Sequence, residues 1–255
     1  MIKICVNNGK GGVGKTTTVC SLAGILATKH KKKVLVLDTD TQCNASIMFG
    51  FYESDNLAKV FEGSKNINDI IEKTEFENID IVPGSFRLSA IGADIKGQRQ
   101  AKEILANRLS GLEGYDYCLI DTPPSLDLIP QNAMVASDYI LMPLEASKYS
   151  IYGLAETKKT IDDIASSIKP VKILGMFLNR VDSRTTLSRS IKDYIASQWG
   201  DLVMDTYIRN NVALAEAINA SKPINIYDPR SNGSKDFNSL TDEIRDRLRR
   251  YTLGN

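Results

Sequence analysis

The sequence predicts an α/β protein: a doubly wound, mostly parallel sheet with helices on both faces. Three observations carry that prediction. Short apolar runs alternate with longer amphipathic stretches along the chain. Several runs are apolar at every position instead of every second one, as a strand covered on both faces requires. Alternation of the two types builds crossover units, and those stack into a parallel sheet.

The clearest strands are expected at residues 2–7, 34–38, 79–82, 117–121, 139–143 and 173–179. Helical patterns lie between them at residues 16–29, 101–112, 151–168 and 187–198. Residues 51–77 are polar and weakly patterned, and read as a short helical excursion. A last helix carries Arg245, Arg247, Arg249 and Arg250. Within it, Glu243 to Arg247 and Asp246 to Arg250 have the spacing of exposed helix ion pairs.

The chain has 255 residues, which lies between one and two domains at roughly 150 residues each. There is no internal repeat, low-complexity tract or Pro/Gly-rich linker, so one domain over residues 1–255 is expected. The chain opens directly on its first strand, so no N-terminal helix-turn-helix is expected either.

Hydrophobic residues make up 42% and charged residues 25%, which excludes a disordered or collagen-like chain. Net charge is +1, so a nucleic-acid or membrane surface would have to be a local patch. Cys5, Cys20, Cys43 and Cys118 form no CxxC pair and read as buried thiols of a reducing compartment. No apolar stretch approaches the ~18 residues that crossing a bilayer takes, and no signal-peptide core is present. A cytoplasmic location is expected. His30 is the sole histidine, which excludes a histidine metal site or a Ser-His-Asp triad, and its lysine-rich surroundings read as a solvated turn.

The strongest local signal is Gly9-Lys10-Gly11-Gly12-Val13-Gly14-Lys15-Thr16, which fits GxxxxGK(S/T) at every position. It follows a strand and opens a helix, the context a phosphate loop needs. Glycines let backbone N–H groups turn toward a polyphosphate, and the helix N-terminus adds its positive field. Lys15 reaches the β- and γ-phosphates, and the Thr16 hydroxyl can bind Mg²⁺. Tyr117-Cys118-Leu119-Ile120-Asp121 is an apolar strand ending in an acid, so Asp121 is placed to hold Mg²⁺ through water. Asp38 and Asp40 end another strand, where carboxylates face the ligand crevice of such sheets.

The second lysine of the loop, Lys10, and the run Lys10-Gly11-Gly12-Val13-Gly14-Lys15-Thr16-Thr17 resemble the deviant Walker A motif of the ParA/MinD family of ATPases. The resemblance implies ATP and Mg²⁺ as ligands, with Gly11, Gly12, Val13, Gly14, Lys15, Thr16 and Thr17 around the phosphates. It implies that Lys10 crosses a nucleotide-sandwich homodimer to the partner's phosphates. Asp38-Thr39-Asp40-Thr41-Gln42-Cys43-Asn44 resembles the family's second acidic motif, with Thr41 for its usual proline and Cys43 for its usual glycine. Asp40 is then expected to orient the attacking water, and Asp38 to lie near the Mg²⁺ shell. Asp121-Thr122-Pro123-Pro124-Ser125 resembles the ParA branch, and the segment after Asp121 is placed to sense the γ-phosphate. Asn179, ending a strand, resembles the family's adenine-facing Asn. Arg209-Asn210-Asn211-Val212 stands where the family has Pro-Arg-Asn-Val, and no base contact is assigned there.

The resemblance implies a slow, partner-stimulated ATPase that segregates a plasmid or chromosome. Its dimer would bind DNA without sequence preference, and a ParB-class centromere-binding protein would stimulate hydrolysis. Arg184, Arg189 and Lys192 are the candidate DNA contacts, with the C-terminal arginines next. The alternative is a MinD-like ATPase positioned at a membrane, but the final residues are too polar for its anchor, so no stable membrane association is expected. An electron-transfer ATPase would need cluster cysteines after Cys118, and a polysaccharide-export kinase a terminal tyrosine cluster; neither is present.

Overall fold

The computed structural model describes residues 1–52, 54–145, 147–182 and 186–253, without the side chains of residues 148–152 and 186–189. The first half runs β1 (Ile2–Val6), α1 (Lys15–Thr28), β2 (Val34–Asp38), α2 (Asn44–Met48), α3 (Asn56–Glu62), β3 (Glu72–Lys73), β4 (Ile79–Val82), α4 (Leu88–Asp94) and α5 (Ile104–Leu109). The second runs β5 (Tyr117–Asp121), α6 (Leu128–Ala136), β6 (Tyr139–Glu145), α7 (Lys148–Ser167), β7 (Lys172–Asn179), α8 (Thr186–Trp199), α9 (Val212–Asn219), α10 (Ile224–Tyr227) and α11 (Asn232–Leu253).

The seven strands form one sheet in the order β3-β4-β2-β5-β1-β6-β7. Every pairing is parallel except β3 against β4. The chain steps across β5 to reach β2 and later across β1 to reach β6, so the winding reverses around β1. Ligand crevices open at the carboxyl ends of strands at such a reversal. In register, Val6 lies beside Asp121 and Asp121 beside Asp38, so three strand ends meet there.

The uniform apolarity of the strands has its cause in two separate cores. Leu35 and Leu37 of β2 enter one, with Leu57 of α3, Leu88 of α4, Leu105 of α5, Ala133 of α6 and Leu154 of α7. Val34 and Val36 enter the other, with Val19 and Ile25 of α1 and Phe237 and Ile244 of α11. β1 and β5 alternate the same way: Cys5 and Cys118 belong to the first core, Ile4 and Leu119 to the second. A fully buried side chain such as Phe237 contributes about 1.5–3 kcal/mol.

The strands at 34–38, 79–82 and 117–121 coincide with expectation, and β6 runs on from Pro143 to Glu145. The 51–77 excursion contains α3, a 3₁₀ turn at Ile67–Ile70 and the edge strand β3. The four cysteines are buried thiols with no disulfide between them, and burial pushes the Cys118 thiol up to about 12. His30 is not in a solvated turn: its ring lies between Arg245 and Asp242 of α11, 3.2 Å from an Asp242 oxygen, and burial lowers its pKa. Among the described residues no helix is long and apolar enough to cross a membrane.

Candidate active site

The loop between β1 and α1 turns on glycines with positive φ, 75° at Gly12 and 94° at Gly14. Gly14 caps α1 in a left-handed conformation, and it has no room for a side chain. A Cβ there would stand 2.1 Å from Asn179 Nδ2, which donates to the Val13 carbonyl at 2.8 Å. α1 is buried from Thr18 to Ala27, which fixes its N-terminus, and hence its positive end, at the crevice. Lys15, also buried, donates from Nζ to the Lys10 carbonyl at 3.0 Å. Burial lowers its pKa, while Asp121 and Asp40 pull it back up.

Thr16 donates its hydroxyl to Asp121 Oδ2 at 2.7 Å. Asp121 is fully buried; burial and the neighbouring Asp38 push its carboxyl well above the ordinary range, against the Thr16 hydrogen bond and Lys15. Next to it, Thr122 donates to the Val6 carbonyl at 2.8 Å and accepts from Asn7 Nδ2 at 3.0 Å. The segment after Asp121 is thereby fastened to β1.

Asp40 lines the crevice, and its Oδ1 accepts the Gln42 N–H at 2.9 Å. Asp38 lies beside Asp121 in register, and both of its carboxylate oxygens are already engaged. Its Oδ2 accepts the Ser46 N–H at 2.8 Å and hydroxyl at 2.6 Å, and its Oδ1 accepts the Asp40 N–H at 3.1 Å. Ser46 in turn accepts the Gly84 N–H at 2.8 Å. Asp38 thus organises the turn that presents Asp40, and burial raises its pKa to about 6. Cys43, at the family's glycine position, is left-handed at φ 52°, so the turn keeps a glycine-type backbone without a glycine.

Lys10 does not project away from its own chain. Its Nζ pairs with Glu145 at the end of β6 and lies 3.5 Å from the Ser147 hydroxyl. Its N–H donates to Asn8 Oδ1 at 2.9 Å, and Asn8 Nδ2 donates to the Pro143 carbonyl at 2.9 Å. Asn179 is likewise engaged: besides its bond to Val13, its Oδ1 accepts the Arg180 N–H at 2.9 Å.

A cavity of about 410 Å³ gathers Gly11, Gly12, Gly14, Lys15, Thr16, Thr17 and Asp40. Gln42, Asn44 and Pro124, from the acidic motif and the segment after Asp121, also line it, with Ile47, Met48, Arg180 and Ile218, which sequence reasoning missed. Arg180 has φ 56° directly after Asn179, and nothing in its local sequence signals that turn. A larger cavity of about 780 Å³ lies between α4 and α6. It carries Lys96 and Lys102 against Glu103 and Asp127, so it has no net field for a polyphosphate, and we assign the site to the smaller one.

Of the candidate DNA contacts, Arg184 lies outside the described residues, and the Arg189 side chain does too. Lys192 donates to the Asp205 carbonyl at 2.9 Å and sits 5.7 Å over the Tyr207 ring. The C-terminal arginines are not a uniform exposed set. Arg247 is locked by the Asp201 and Val203 carbonyls at 2.7 and 2.9 Å and by Glu243. Asp246 pairs with Arg249 at 3.1 Å, where pairing with Arg250 was expected. Arg209 is held by a two-pronged pair with Asp236 at 2.6 and 2.9 Å.

Residues 1–173 match a family described as an AAA domain. The chain is similar to the sporulation initiation inhibitor protein Soj of Bacillus subtilis, at 34% identity over 94% of this chain and 97% of that one. It is similar to the chromosome partitioning protein ParA of Myxococcus xanthus, at 32% identity over 94% and 87%. Its fold superposes on the septum site-determining protein MinD of Pyrococcus horikoshii, solved with Mg-ADP, with a TM-score of 0.76 and 28% identity over 95% of each chain.

Proposed function

The chain belongs to the ParA/MinD family, and from that premise we propose that it is a ParA-type ATPase that segregates plasmid or chromosomal DNA. The observation that carries this reading is the meeting of Lys15, Thr16 and Asp121 at the strand ends beneath a glycine cradle. ATP is the substrate. Gly11 to Gly14 cradle its phosphates, Lys15 neutralises them, and the α1 N-terminus adds its field.

The Thr16 and Asp121 oxygens fit a magnesium ion, because a hydroxyl and a buried carboxylate 2.7 Å apart form a hard-oxygen set with an unmet need for positive charge. When bound, the ion supplies charge neutralisation at the β- and γ-phosphates. Asp40, held by Gln42 and by the Asp38 turn, orients the attacking water. The segment fastened through Thr122 responds to the γ-phosphate.

In this reading ATP brings two chains face to face, with Lys10 of each reaching the other's phosphates and Asn179 near the base. The dimer binds DNA without sequence preference, through a surface including Lys192 and the Arg184–Arg189 region. A ParB-class protein stimulates the slow hydrolysis and releases it. The protein is then cytoplasmic and nucleoid-associated. The apolar face of α11 packs into the core through Phe237, Leu240, Ile244 and Leu248, which favours a DNA role over a membrane-anchored one. Fluorescence anisotropy with an arbitrary duplex tests this: binding should need ATP, ignore sequence and weaken steeply between about 50 and 200 mM salt. Equal binding with ATP, ADP or no nucleotide would refute it.

A further inference from the structure

We propose that Glu145 is a positioning residue that restrains Lys10 on its own chain and so sets the threshold for ATP-dependent dimerisation. The proposal rests on the reading of Lys10 as a lysine that acts across the dimer.

The geometry separates the backbone of Lys10 from its charge. The backbone is tied on both sides: its N–H donates to Asn8 Oδ1 at 2.9 Å, and its carbonyl accepts Lys15 Nζ at 3.0 Å. Asn8 is in turn tied to β6 through the Pro143 carbonyl at 2.9 Å. Among the described residues, the side chain of Lys10 is held by a contact that can open without unfastening the loop, to Glu145, with the Ser147 hydroxyl 3.5 Å away. Glu145 ends β6 opposite Asn179, so the restraint stands at the mouth of the loop, not in the core.

The pair is breakable. Its side chains are 35% and 41% exposed, so water can take over both charges when they part. A carboxylate offers Lys10 one negative charge, whereas the triphosphate of a second chain offers several. Lys10 therefore leaves Glu145 only when a loaded nucleotide faces it. Without that nucleotide, the restraint keeps the cation off the dimer face and disfavours empty dimers.

Sedimentation velocity with a non-hydrolysable ATP analogue tests this on wild type, Glu145→Gln, Glu145→Ala, Lys10→Ala and Lys10→Ala/Glu145→Gln. Releasing an exposed ion pair is worth roughly a two- to fivefold change in an equilibrium constant, and two pairs open per dimer. Glu145→Gln and Glu145→Ala should therefore tighten the dimer by roughly four- to twenty-five-fold while the monomer stays folded. Lys10→Ala should weaken it, and the double variant should match Lys10→Ala. If Lys10→Ala dimerises like wild type, the trans reading of Lys10 fails and this proposal with it. If Lys10→Ala loses the dimer while both Glu145 variants match or fall below wild type, the restraint alone is refuted. If Glu145→Gln still tightens the dimer without Lys10, Glu145 acts through something else and the proposal is overturned.

Discussion

Gly14 and Asn179 offer a test in which sequence distance and spatial contact are furthest apart. Replacing Gly14 with Ala forces a side chain onto a residue at φ 94° and drives a Cβ to 2.1 Å from Asn179 Nδ2. The left-handed backbone costs about 1–2 kcal/mol. The clash expels the Asn179 amide from its 2.8 Å bond to the Val13 carbonyl, and leaving that buried acceptor unmet costs about 1–3 kcal/mol more. Gly14→Ala should thus destabilise the nucleotide-free protein by about 2–5 kcal/mol. Asn179→Ala alone should cost about 1–3 kcal/mol, because it loses the same bond without the strained backbone. The two losses share one event, so the double variant should be less destabilised than their sum by about 1–3 kcal/mol. Urea unfolding followed by circular dichroism measures all three. Additivity within about 0.5 kcal/mol would show that the amide does not sit against Gly14.

Lys15→Ala should abolish ATP binding as well as turnover, read by titration of a fluorescent ATP analogue; wild-type affinity would mean that the loop is not a phosphate cradle. Asp40→Ala should keep ATP binding and trap an ATP-bound dimer in light scattering, at about 1 kcal/mol of stability for the lost Gln42 bond; a monomer at saturating ATP would remove Asp40 from its assigned role. Asp38 is raised to about 6 in the fold, so its buried carboxyl favours the folded state when protonated, below the unfolded value near 3.8. That advantage is lost as pH rises through about 6, so Asp38→Asn should flatten the nucleotide-free stability profile between these values, and an unchanged slope would refute the assignment.

The sequence showed its central strands clearly because burial on both faces leaves an unbroken apolar run, as in Val34–Asp38 and Tyr117–Asp121. β3 escaped because Glu72 and Lys73 are both exposed on an edge and bury nothing that could set a period. α6 escaped because Leu128–Ala136 is apolar on nearly every side and contains Pro130, which reads as a break. The phosphate loop was legible because its chemistry is local: glycines, a lysine and a threonine at fixed spacing. The partners of that loop were not. Glu145 and Asn179 reach it from 135 and 166 residues away, at the ends of β6 and β7, and only the sheet order brings them there. Asp38 was legible as an acid in the crevice but not as a turn organiser, since that depends on Ser46 folding back under it.

The bond from Thr16 to Asp121 also decides which way one proton points. A hydroxyl has a single hydrogen and two lone pairs, so donating to Asp121 leaves the lone pairs as the face Thr16 can show a cation. A protonated Asp121 reverses the arrangement: the acid becomes the donor and the threonine hydrogen swings outward, toward where positive charge must arrive. With magnesium held by Thr16 and Asp121 as proposed, cation capture at a protonated Asp121 would release its proton. Magnesium affinity should fall as the solution is acidified, and each ion bound to a protonated site should return a proton to the buffer.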